Sequence, residues 1–100
     1  MQKMMKEMQK MQGKLLKAQE ELESTRYDSE AGGGMVKLAV DGKGKLLEIK
    51  IDARAVDPDD VEALEDLVLA AFNSAIEKKD DAAKNAMGSL TGGMKIPGIG

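Results

Sequence analysis

Residues 36–52 read VKLAVDGKGKLLEIKID, and this stretch decides the fold. Val36, Leu38 and Val40 alternate with Lys37, Ala39 and Asp41, and Leu47, Ile49 and Ile51 alternate with Glu48, Lys50 and Asp52. A period of two sends successive side chains to opposite faces of a strand. Asp41-Gly42-Lys43-Gly44 lies between the two runs and is a hairpin signal. The stretch predicts two antiparallel strands, over about 35–41 and 45–52, each with an apolar face and a charged face. Val36, Leu38, Val40, Leu47, Ile49 and Ile51 are the candidate residues for core and dimer contacts. A lone hairpin is marginal in water. A third strand is therefore expected over about 24–30, where Ser24, Thr25, Arg26 and Tyr27 favour extended backbone and Tyr27 offers an anchor. Ala31-Gly32-Gly33-Gly34 supplies the bend after it.

Working outward, residues 1–23 predict a helix. Met1, Met4, Met8, Met11, Leu15, Ala18 and Leu22 recur at spacings of three and four, an unbroken heptad seam. Lys3, Lys6, Lys10, Lys14 and Lys17 fall within an arc of ~80° on nearly the opposite side. On the other flank, residues 58–87 predict a second long helix, with Asp57 as its cap and Pro58 in its first turn. Its apolar stripe is Val61, Leu64, Val68, Ala71, Phe72, Ala75 and Ile76. The stretch from Lys78 to Lys84 is polar nearly all round, so it projects into solvent or breaks into a separate short helix, and Gly88 is the expected stop. Residues 89–100 hold Pro97 and no periodicity, and read as a flexible glycine-rich tail. The whole is one α+β domain over residues 1–88.

Composition narrows the function. A chain of 100 residues with two aromatics, Tyr27 and Phe72, has a thin aliphatic core, and oligomerisation is a natural way to add buried area. With no Cys and no His, disulfides, thiolate nucleophiles, Cys/His zinc sites and His-based acid–base schemes are all excluded. The longest apolar run is Leu67 to Phe72, too short to span a bilayer, and the lysine-rich start lacks the apolar segment of a secretory signal. A soluble, cytoplasmic protein is the expectation. Net charge is −3, but it is segregated. Residues 1–19 carry five lysines against Glu7, a net of +4; residues 52–66 carry seven acids against Arg54, a net of −6.

No catalytic constellation emerges. Asp59 and Asp60, like Asp80 and Asp81, are helix neighbours that do not face one another. Gly88 and Gly93 have phosphate-loop spacing, but Met94 stands where that motif needs Lys. Ala31 to Gly34 lacks the dinucleotide fingerprint. The expectation is no enzyme, no cofactor, no metal and no small-molecule substrate. The lysine ridge is the sharpest feature. Its bland reading is a solvated helix face; its functional reading is a rigid row of cations, one per ~5–6 Å of axis, that follows a phosphate backbone with little sequence preference. The methionine seam reads as a helix–helix packing seam, with an adaptable partner groove or a membrane surface as the other readings.

Taken together, the basic, methionine-rich first helix, Gly32-Gly33-Gly34-Met35-Val36-Lys37, Ile51-Asp52, Val56-Asp57-Pro58, Glu65-Asp66-Leu67, Ala70-Ala71-Phe72-Asn73, Met87-Gly88, Thr91-Gly92-Gly93-Met94 and Pro97-Gly98 form a pattern. It resembles the YbaB/EbfC family of bacterial nucleoid-associated DNA-binding proteins over nearly the whole chain. The resemblance implies a long N-terminal helix, a three-stranded antiparallel sheet and one or two C-terminal helices. It also implies a tweezer-like homodimer that joins largely through its sheets. Double-stranded DNA then lies along the helical arms, with Lys3, Lys6, Lys10, Lys14 and Lys17 on one arm and Lys78, Lys79 and Lys84 on the other. Localisation to the cytoplasm and nucleoid follows, with chromosome organisation and modulation of gene expression as the function. The alternative is a protein–protein interaction module built on the Met-rich arms. No membrane partner is implied.

Overall fold

The computed structural model describes residues 2–90, with the side chains of Ser89 and Leu90 left aside. The order is α1 (Gln2–Ser24), β1 (Tyr27–Ala31), β2 (Val36–Val40), β3 (Leu46–Ile51), a single 3-10 turn (Ala53–Ala55) and α2 (Val61–Leu90). The expected tail at 89–100 lies outside the described residues except for Ser89 and Leu90, which are the last two residues of α2.

The three strands form one antiparallel sheet in the order β1-β2-β3. Leu38 lies opposite Ser29 on one side and Ile49 on the other, so alternate residues of all three strands share a face. A register shift at Ala39/Val40 sets Val40 opposite Leu46. β1 begins at Tyr27, three residues later than the expected 24, because Ser24 and Thr25 still close α1. The Thr25 hydroxyl donates to the Glu21 carbonyl at 2.6 Å and the Ser24 hydroxyl to the same oxygen at 3.2 Å. Gly32, Gly33 and Gly34 all take positive φ (65°, 66° and 92°), a backbone path that residues with a Cβ rarely follow.

α2 lies across one face of β1 and β2. Leu67 rests against Gly32 at one end of the sheet, and Ile76 and Lys79 rest against Gly44 at the other. The buried core is Val36, Leu38 and Val40 with Ala71 and Ala75, and Tyr27, Leu64, Leu67, Val68, Phe72 and Ile76 pack around it. The two alanines allow the helix to approach the sheet closely. β3 sits beyond the width of α2. Its Leu46, Ile49 and Ile51 lie opposite the core residues Val40, Leu38 and Val36 yet remain 44%, 41% and 42% exposed in the single chain; Leu47, expected on this face, falls at the register shift with no partner on β2 and is 46% exposed.

Two expectations about α2 are corrected. Its cap is Asp60, not Asp57: the Asp60 carboxylate accepts from the Ala63 N–H at 3.2 Å. Asp57 instead closes the preceding turn, accepting from the Asp59 N–H at 3.0 Å, so Pro58 lies in that turn rather than in the helix. At the far end Gly88 does not stop the helix, and Lys78 to Lys84 is not a separate helix; α2 is continuous to Leu90. Ala82, Ala83 and Ala86 supply high helix propensity where the apolar stripe ends, which offsets the ~1 kcal/mol a glycine costs.

Candidate nucleic-acid interface

α1 is a free-standing rod. It has 23 residues, ~34 Å of helix, and not one of them is buried. It meets α2 at only a few positions. The molecule therefore measures 71 × 30 × 16 Å, with a radius of gyration of 19.4 Å against about 13 Å for a compact chain of this length. α2 passes Gly44 near Ile76 and Lys79, so its last eleven residues run beyond the sheet on the side from which α1 leaves.

Along α1, Lys3, Lys6, Lys10, Lys14 and Lys17 are all exposed. None of the five forms an ion pair with another described residue. Helical geometry alone puts them in one row. The acidic segment from Asp52 to Asp66 follows Ile51, which pairs with Val36 at the opposite end of the sheet. The +4 and −6 segments thus occupy opposite poles of an elongated molecule, and a polyanion is drawn to one pole and repelled from the other.

The three lysines of α2 have different surroundings. Lys78 Nζ donates to the Asp28 carbonyl oxygen at 2.6 Å, covering an outward backbone acceptor of the edge strand β1. Lys79, with its side chain only 22% exposed, pairs with Asp80 at 3.0 Å. Lys84 is exposed. The structure thus brings the five α1 lysines into one open row and places the α2 lysines separately.

The polar face of the sheet is a second charged surface, and it compensates itself. Arg26 bridges Asp28 at 3.0 Å and Glu48 at 2.7 Å, spanning the buried Ala39 between them. Hydrogen bonds donated by Arg26 to Asp28, then to Glu48, raise its guanidinium above its usual range. Arg26 holds the Asp28 and Glu48 carboxyls below theirs, and Lys50 adds to the effect on Glu48. The Arg54 side chain, then its backbone N–H, lowers Asp52 to about 2. A depressed carboxylate contributes stability above its unfolded pKa, near 4, that is lost as pH falls through the folded value. Melting temperatures in low salt are therefore expected to fall between about pH 4 and pH 2, the Asp52→Asn variant showing the smaller fall. These groups are exposed, so the effect is modest and 1 M salt reduces it. Among the described residues no cluster of His, Cys, Asp and Glu is arranged to hold a metal ion, and no helix is long and apolar enough to cross a membrane.

Sequence reasoning missed the partner of Lys78 and the role of Gly42, whose N–H donates to the Glu23 carbonyl at 3.1 Å. No sequence signal marks either, because both contacts join segments far apart in the chain.

Fold and surface together describe a class: a small α+β body bearing one exposed helix with a row of lysines. Comparison with known proteins makes the class specific. The model of the YbaB/EbfC DNA-binding family matches residues 1–94. A nucleoid-associated protein of Pelotomaculum thermopropionicum is 48% identical over 99 residues, covering 99% of this chain and 94% of its own. One from Clostridium novyi is 47% identical over 96 residues, covering 96% and 84%. The crystal structure of an uncharacterized Helicobacter pylori protein, HP0035, superposes with a TM-score of 0.73 at 26% identity, covering 85% of this chain and 89% of that one. The chain belongs to the YbaB/EbfC DNA-binding family.

Proposed function

We propose that this protein is a homodimeric, nucleoid-associated protein that binds double-stranded DNA with weak sequence preference. The single observation that carries the reading is α1, a rod with no buried residue and five exposed lysines in one row, none of them in an ion pair with another described residue. Such a row exchanges condensed counterions for ammonium groups along the phosphates and reads little sequence. Any preference comes from groove shape. Organisation of the chromosome and modulation of nearby genes follow from coating DNA, and the site of action is the nucleoid within the cytoplasm. The names of the relatives support the location.

The apolar row of β3 supports the homodimer. Leu46, Leu47, Ile49 and Ile51 form an uncovered apolar strip on an edge strand. A monomer rarely leaves such a strip to water. Two copies joined through their sheets bury it and carry two lysine arms, which multiplies the phosphate contacts. The test is a fluorescence-anisotropy titration of a labelled duplex. Apparent affinity is expected to fall by about one to several powers of ten between 50 and 200 mM salt, and to differ little among duplexes of unrelated sequence. Absence of binding at 50 mM salt overturns the reading.

A further inference from the structure

The turn between β2 and β3 does more than reverse the chain. The N–H of Gly42 donates to the Glu23 carbonyl at 3.1 Å, and Lys43 Nζ lies 3.9 Å from the Glu23 carboxylate. A Cβ built on Gly42 falls 2.7 Å from Glu23 Cα and 2.5 Å from the Leu22 carbonyl carbon. Both are backbone atoms that no side-chain rotation moves aside. Gly42 is not among the residues with positive φ, whereas Gly44, two positions on, has φ of 84°. Gly44 is therefore a glycine for its dihedral angle, and Gly42 is one for the space that α1 occupies. The turn that presents Gly42 is itself held firmly. The Asp41 carboxylate accepts from the Lys43 N–H at 2.9 Å and the Lys45 N–H at 3.0 Å, and the Asp41 N–H donates to the Lys45 carbonyl at 3.0 Å. Elsewhere α1 meets α2 at a few positions, and none of its residues is buried.

We propose that Gly42 is the joint that sets the direction of the lysine arm, and through it the register of the lysines on DNA. Leverage makes the joint matter. On a rod of ~34 Å, a change of ~10° at the base moves the tip by about 6 Å. That is nearly twice the ~3.4 Å axial step between phosphates on one strand. Gly42 is thus a positioning residue: it touches no phosphate and acts through α1. The inference rests on the reading of α1 as the DNA-binding arm.

The test uses the absence of native cysteine. Gln9→Cys on the arm and Glu62→Cys at the start of α2, both exposed, take spin labels. Doubly labelled protein diluted in excess unlabelled protein then reports the distance within one chain by dipolar spectroscopy. Gly42→Ala is expected to move or broaden that distance by about 5 Å or more, and to weaken duplex binding at least about tenfold with every lysine still present. The sheet and α2 should keep their circular dichroism. An unmoved arm, or an affinity within about twofold of the parent, overturns the proposal. Two measurements do not depend on the variant folding. With Gly42 intact, the distance distribution should be single and narrow, and the Gly42 amide should be protected from hydrogen exchange; a broad distribution or an unprotected amide overturns the joint. If the parent protein fails to bind the duplex, the DNA reading has failed, while the distances still decide whether the joint exists.

Discussion

Replacing Lys3, Lys6, Lys10 and Lys14 together with glutamate is expected to abolish detectable duplex binding at 50 mM salt and leave the fold intact. The substitution reverses four charges on each arm. Each phosphate contact adds nearly one to the slope of log affinity against log salt, so losing four per arm removes about three powers of ten or more. The fold survives because these side chains cover nothing. Lys and Glu have nearly equal helix propensity; positions 6, 10 and 14 are like-charged before and after, and the new like-charge pairs of positions 3 and 10 with Glu7 cost only a few tenths of a kcal/mol each. Circular dichroism and thermal melts run beside the anisotropy titration separate the two effects. Lys78→Ala is the informative companion. Its ammonium is engaged by the Asp28 carbonyl, so the salt slope should not change. If the quadruple variant keeps its affinity, or if Lys78→Ala loses as much, the phosphates do not lie along α1.

Leu38→Ala is expected to lower the free energy of unfolding by about 2–5 kcal/mol, read from urea titrations. Domains of this size hold only about 5–15 kcal/mol in total, so the variant approaches the edge of folding. Leu38 sits at the centre of β2 beneath α2, in a core whose other fully buried side chains are no larger than valine. The larger side chains around it, among them Phe72 and Ile76, lie at the partly exposed margin of the core, so the gap is refilled only in part. Ile49, opposite it on β3, is half-exposed in the single chain, so its packing within one protomer is worth much less. A large loss on Ile49→Ala, with melting that depends on protein concentration, therefore measures the dimer rather than the protomer. A loss below about 1 kcal/mol on Leu38→Ala rejects the placement of the core.

Much of this was legible in the sequence. The alternation in residues 36–52 specifies a hairpin because strand periodicity is a local property of the chain. The heptad seam and the lysine ridge specify a helix with two chemically different sides for the same reason. The open row of α1 lysines needed no tertiary information, since spacing along a helix is enough to align them. Boundaries were less legible where two local signals compete. Asp57 and Asp60 both suit a cap, and Pro58 between them suits either a helix or a turn. Only the hydrogen bond to Ala63 distinguishes them.

What the sequence by itself determined is therefore the order and type of the elements and the row of charge on α1. The tertiary structure decided which apolar residues are covered. Val36, Leu38 and Val40 look like Leu47, Ile49 and Ile51 in the chain, but one helix is wide enough to cover only β1 and β2, and the third strand keeps its apolar row exposed. The tertiary structure also decided that Lys78 covers a strand edge and that Gly42 makes room for a helix end. Both depend on where two remote segments pass each other in space. Periodicity carries no information about that, because it repeats within an element and is silent about the distance between elements.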